Sequence, residues 1–107
     1  MAYLRISLFT PRPGARVEAE RLLQSLADFH GSLPGHWVTF RVESRDEAPR
    51  IGRITAWNDE ASANVAAQAS HDQALRSQLH QLVEEDSIVE RSYFGELAAG
   101  DGGPPTD

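Results

Sequence analysis

Few side chains in this sequence could do chemistry: two tryptophans, four histidines and ten basic residues that are all arginine, with no cysteine in 107 residues. Trp57 could offer a stacking face and an indole N–H donor to a bound ring, or simply pack at a seam between subunits. His71 lies at a break between two helical stretches, where an imidazole titrating near neutrality suits a proton acceptor. A capping or surface histidine is the plainer role for it. Arg53 and Tyr93, with Arg5 and Arg91, could steer an acidic phenol or stabilise a developing oxyanion. Ion pairs with Glu43, Glu90 or a second subunit are the alternative, and such pairs contribute little at a surface. His36 shares one side of a strand with Val38 and Phe40, so it is either a binding residue or a partly buried structural histidine. His30 and His80 read as solvent-facing helix residues.

Other chemistries lack their residues. The four histidines show neither tight spacing nor a His-Glu-x-x-His pattern, so no metal site is expected. Without cysteine there is no disulfide, thiolate ligand or thiol nucleophile. No serine-triad signature, phosphate loop or dinucleotide fingerprint occurs. Gly100-Asp101-Gly102-Gly103 lacks the strand and helix that such a loop requires.

The elements that must position these residues follow from the patterning. Residues 3–10 alternate as a first strand, which Pro11-Arg12-Pro13-Gly14 ends, with Pro13 fit for the first position of a helix. Ala15, Ala19, Leu22, Leu23, Leu26 and Phe29 then recur at helical spacing to about His30, with Gly31 suited to a left-handed end. Residues 36–44 alternate again, and residues 51–57 are rich in β-branched and aromatic side chains, so the two form a hairpin in which Gly52 is the weak point. Asn58-Asp59-Glu60 caps a second helix through the alanine-rich residues 61–69. Ser70-His71-Asp72 interrupts and recaps it before Leu75, Leu79 and Leu82. Residues 87–97 make a fourth strand, and residues 98–107 form a tail with nothing to pack.

The expectation is a single α+β domain over residues 1–97, ferredoxin-like βαββαβ, with a four-stranded antiparallel sheet and both helices on one face. The aliphatic rows Leu4/Ile6/Leu8, Val38/Phe40/Val42 and Ile54/Ala56 should lie under the helices. The opposite face would then expose Trp37, Trp57, Phe9 and Ile51 among Arg5, Arg41 and Arg53. Aromatic and arginine side chains of that kind suit association, so sheet-to-sheet homodimerisation is expected. The formal charge of −6 and the interleaving of Glu43, Asp46 and Glu47 with Arg41, Arg45, Arg50 and Arg53 speak against nucleic acid as a partner. No secretory signal or membrane-length apolar run is visible, which points to a cytoplasmic protein without a membrane partner.

The segment Arg53-Ile54-Thr55-Ala56-Trp57-Asn58-Asp59-Glu60-Ala61, an alanine-rich helix and then Ser70-His71-Asp72-Gln73-Ala74-Leu75 together resemble the centre of an antibiotic-biosynthesis-monooxygenase-like domain. The shared features are a third strand ending in tryptophan, an acidic turn and a helix broken near a Ser-His pair. The resemblance implies a homodimeric α/β barrel with a pocket in each subunit between sheet and helices. It also implies oxidation of aromatic, enolisable small molecules by dioxygen with no metal or flavin cofactor. Trp57 would line the pocket and His71 would accept a proton. A haem-degrading branch of the family uses an Asn in the first strand together with a Trp and a His, and here Ser7 or its neighbours occupy the Asn region, so the match fails at one of the three positions. The rival expectation is a non-catalytic dimer of the same fold that binds a small molecule or serves a stress-related role.

Overall fold

The computed structural model describes residues 1–46 and 49–100. Strand β1 (Ala2–Phe9) leads into helix α1 (Arg16–Gly31), followed by strands β2 (His36–Glu43) and β3 (Ile51–Trp57). Helices α2 (Glu60–Gln68) and α3 (Ser70–His80) precede strand β4 (Val89–Gly95). All pairings are antiparallel and the strand order is β2-β3-β1-β4. This is the expected α+β, ferredoxin-like sheet, with the second helical region divided in two. Residues 101–107 of the expected tail lie outside the described residues.

The local devices are partly those expected. Asp59 caps α2 by accepting from the Ser62 backbone N–H at 2.7 Å. At the start of α3, however, the cap position is Ala69 and no side chain caps it. Asp72 turns inward instead. Pro13 precedes α1, which begins at Arg16, and Gly31 stays helical. The left-handed conformation after α1 belongs to Gly35, with φ +84°, where a side chain would also collide with Ser62. Gly52, the weak point of the hairpin, proves to be required there: a Cβ at that position would run into the Ser7 carbonyl of the neighbouring strand.

The structure reverses the expected orientation of the sheet. Register places Tyr3, Arg5, Ser7 and Phe9 of β1 beside Trp57, Thr55, Arg53 and Ile51 of β3, and this row faces the helices. Phe9 and Ile51 join Ala19, Leu22, Leu23 and Leu26 of α1 and Leu75 and Leu79 of α3 in one core cluster. Tyr3 and Trp57 form a second with Ala63 and Ala66 of α2. The aliphatic row lies on the other side, where Leu4, Ile6, Leu8 and Ile54 are half-buried and Val38 and Phe40 are exposed. The physical reason is reach. Period-two alternation separates two faces without saying which is covered, and the aromatic rings at either end of the row span the gap to the helices while the shorter and polar residues between them leave it open. Trp37 is not part of an exposed patch either. It is the extra residue at a bulge in β2, half-buried, with its indole N–H donating to Asn58.

Candidate functional site

The gap left between the aromatic ends of the sheet is a cavity of about 360 Å³ between β1, β3, β4 and the helices. Arg5, Ser7, Arg53, Thr55 and Trp57 line it from β1 and β3, and Ala63 and Ala67 from α2. Trp57 is packed against Ala63 and Ala66 and is 2% exposed, so it offers the cavity little of its surface. From α1 and α3 come His30, Asp72 and Arg76, and from β4 come Glu90, Arg91 and Ser92.

At the helix side of the cavity stands a buried histidine–carboxylate pair. His30, the penultimate residue of α1, is 5% exposed and Asp72, in the first turn of α3, 1%. The imidazole Nε2 is hydrogen-bonded to Asp72 Oδ2, and Arg76 Nε, one turn along α3, donates to Asp72 Oδ1. On the other side of the ring, Arg53 Nη1 donates to His30 Nδ1 at 3.2 Å. A guanidinium has donors only, so Nδ1 must be the acceptor and the single proton of a neutral imidazole sits on Nε2, directed at the carboxylate. The ring also meets Trp57 edge to face, with centroids 5.3 Å apart.

Electrostatics sharpen this arrangement. Burial by itself raises the pKa of the Asp72 carboxyl, but the hydrogen bonds from His30 and Arg76 outweigh it and hold the group below the usual carboxylate range. Burial lowers the pKa of the Arg53 guanidinium, an effect that the Asp72 charge opposes. The cavity gathers the guanidinium groups of Arg5, Arg53 and Arg76 against the carboxylates of Asp72 and Glu90, while Arg91, opposite Ile6 in the register, belongs to the outward-facing row of the sheet. It is a locally cationic site in a protein of net charge −6.

Of the residues singled out from sequence, Trp57 and Arg53 line the cavity. His36 lies behind Trp57, its ring edge-on to the indole at 5.4 Å, and its Nε2 is 2.8 Å from Thr39 Oγ1. Burial lowers its pKa. Tyr93 is opposite Leu4 in the β1–β4 register, on the outer face of the sheet, and is exposed. His71 is exposed too, packed against the edge of Phe29 at 4.8 Å and outside the cavity lining. His30, read from the sequence as solvent-facing, is instead buried in the site. Leu22, Leu26 and His30 fall at four-residue steps, as do the helix's other buried positions at three or four, so His30 ends the apolar stripe. Asp72 begins the stripe of α3, three residues before Leu75. Among the described residues, no group of three or more His, Cys, Asp or Glu side chains is placed to hold a metal ion, and no helix is long and apolar enough to cross a membrane.

No family model and no curated protein sequence matches the chain. Solved structures do. Rv0793 from Mycobacterium tuberculosis superposes with a TM-score of 0.79 at 18% identity, covering 94% of this chain and 100% of that one. SnoaB, a cofactor-independent oxygenase from Streptomyces nogalater, gives a TM-score of 0.78 at 18% identity, over 94% of this chain and 98% of SnoaB. A Nitrosomonas europaea protein provisionally designated an antibiotic biosynthesis monooxygenase gives 0.80 at 14% identity, over 92% and 94%. The fold is therefore that of the antibiotic-biosynthesis-monooxygenase-like proteins.

Proposed function

We propose that this protein is a cofactor-independent monooxygenase-like enzyme that deprotonates an enolisable aromatic small molecule in the cavity beneath Trp57 and exposes the resulting anion to dioxygen. The observation that carries this reading is the buried His30–Asp72 pair on the wall of that cavity. The fold shared with SnoaB, itself a cofactor-independent oxygenase, supports it. The cavity volume of about 360 Å³ lies at the small end of ligand pockets, which usually enclose ~300–1,000 Å³.

In this reading His30 is the base. Its Nδ1 lone pair receives the substrate proton once Arg53 swings aside, and Asp72, fixed by Arg76, stabilises the imidazolium that forms. Trp57 supplies the aromatic wall, and Arg53 and Arg5 stabilise the enolate or phenolate. The anion passes an electron to dioxygen. A ring methylene then becomes a carbonyl: one oxygen atom enters the product and the other leaves as water with the two hydrogens. His71, exposed on the outer surface of α3, has no part in this scheme.

A second reading is favoured by one detail. Arg53 already occupies the lone pair of His30, so the resting site is a closed network better suited to holding an anion than to taking a proton. In that case the protein is a non-catalytic small-molecule binder. In either case we infer a homodimer formed through the outer sheet face, where Val38, Phe40 and Tyr93 are exposed beside Leu4, Ile6, Leu8 and Ile54. Sedimentation should show a dimer that Phe40→Glu converts to monomer. A monomeric parent would refute that arrangement.

Oxygen uptake decides between the readings. The purified protein is assayed with anthrone- and hydroquinone-type phenols, with His30→Gln, Trp57→Phe and His71→Ala beside it. Uptake above the spontaneous rate that drops at least about a hundredfold in His30→Gln, in line with general-base catalysis, and persists in His71→Ala supports the enzyme. No acceleration with any compound moves the assignment to the binder.

A further inference from the structure

Two of the three arginines whose strand or helix positions face the cavity, Arg5 and Arg53, differ from the third, Arg76, and from those elsewhere on α1 and β2. Arg16, Arg21, Arg41 and Arg76 each have a carboxylate at ion-pair distance. Among the described residues, Arg5 and Arg53 have none, although both line the same cavity. Arg5 donates to the Tyr3 hydroxyl at 3.3 Å and to Asn64 Oδ1 at 2.8 Å, both neutral acceptors. Arg53 is partly buried and donates to the neutral Nδ1 of His30, while Asp72 and Glu90 act on it only through space. A desolvated cation without an adjacent counter-ion is destabilising, and a bound anion relieves it.

We infer that the cavity takes a small aromatic carboxylate, whose carboxylate group is received by the Arg53 fork with help from Arg5, and that this contact draws Arg53 away from His30 Nδ1. The inference rests on reading this cavity as the ligand site and names the chemical class it selects. A planar guanidinium fork matches a carboxylate in two parallel hydrogen bonds. A phosphate monoester fits less well, because it would bring up to about two negative charges beside the Asp72 and Glu90 carboxylates that already line the cavity. Trp57, which borders the cavity beside Arg53 and Ala63, limits the space for the ring. Ligand and base are thereby coupled: the anionic group that docks is also what uncovers the imidazole lone pair.

The test is calorimetric titration of the full-length protein with 2-naphthoate, 2-naphthamide and 2-naphthyl phosphate. The three share one ring system and differ in the charged group. Naphthoate should bind at least about tenfold more tightly than the amide, the usual scale of one charge-assisted contact. Arg53→Gln should erase that difference, Arg53→Lys should restore part of it, and Arg21→Gln, exposed on α1 and outside the cavity lining, should change nothing. In imidazole nitrogen NMR, naphthoate should shift His30 Nδ1 and the amide should not. Equal binding of naphthoate and naphthamide, or tighter binding of the phosphate, overturns the inference. So does a preference for naphthoate that survives in folded Arg53→Gln. If neutral hydroquinones drive His30-dependent oxygen uptake while naphthoate fails to bind, this inference falls and the proposed function stands. Selective naphthoate binding with no oxygen uptake by any compound does the opposite: the inference stands and the enzyme gives way to the binder.

Discussion

The space between sheet and helices has two ends built on opposite principles. At one end Phe9 and Ile51 meet Leu22, Leu23, Leu26, Leu75 and Leu79, an apolar cluster that excludes everything else. At the other, Trp57 and Tyr3 face the small residues Ala63 and Ala66, and the volume that larger side chains would fill is left to a cavity ringed by His30, Asp72 and arginines. The same two layers, sheet and helices, serve both ends. The difference teaches that the closed end holds α1 and α3 together, so that their other ends can present a histidine and an aspartate to each other across the interface at fixed geometry.

That division of labour can be broken from either side. The largest effect should come from the closed end: Leu26→Ala removes a fully buried side chain and should cost about 2–5 kcal/mol in denaturant unfolding. A smaller loss would mean the cluster is loosely packed and cannot fix the pair. At the open end, Asp72→Asn leaves His30 and Arg76 without their carboxylate and should cost about 1–3 kcal/mol. A neutral result there would show that the pair is not formed in solution.

Acid sharpens the comparison further, with a smaller effect. The native Asp72 carboxyl titrates below its ordinary value, so the unfolded chain takes up the proton first as pH falls. The stability this group contributes is fully present above the usual unfolded value of ~3.9 and is lost as pH drops through the lower native pKa. Unfolding free energy should therefore fall more steeply below about pH 4 in the parent than in Asp72→Asn, while Leu26→Ala keeps the parental slope. Identical slopes in the parent and Asp72→Asn would remove Asp72 from the acid response.

How much of this is legible in the sequence depends on which signal carries it. Element order, the break after Gln68 and the Asp59 cap follow from periodicity and capping chemistry, which are local. The covered face of the sheet is not legible, because both faces are apolar enough to be a core and only the reach of Phe9 and Trp57 to the helices decides between them. The site is half legible. Trp57 and Arg53 stand out by type and by resemblance, whereas His71 stands out only by its place at a helix break and is exposed. His30 and Asp72 each sit on an apolar helical stripe, a place where a polar residue demands a partner, but their pairing across 42 positions is tertiary and no local pattern announces it.

The most direct test needs no substrate. Long-range proton–nitrogen correlation spectra of the imidazoles at neutral pH report which nitrogen of each histidine carries the proton. The account predicts that His30 is neutral with its proton on Nε2, that Asp72→Asn perturbs this signal, and that Arg53→Gln shifts Nδ1. A His30 protonated on Nδ1, or one whose spectrum ignores both substitutions, would contradict the buried pair on which the proposed function stands.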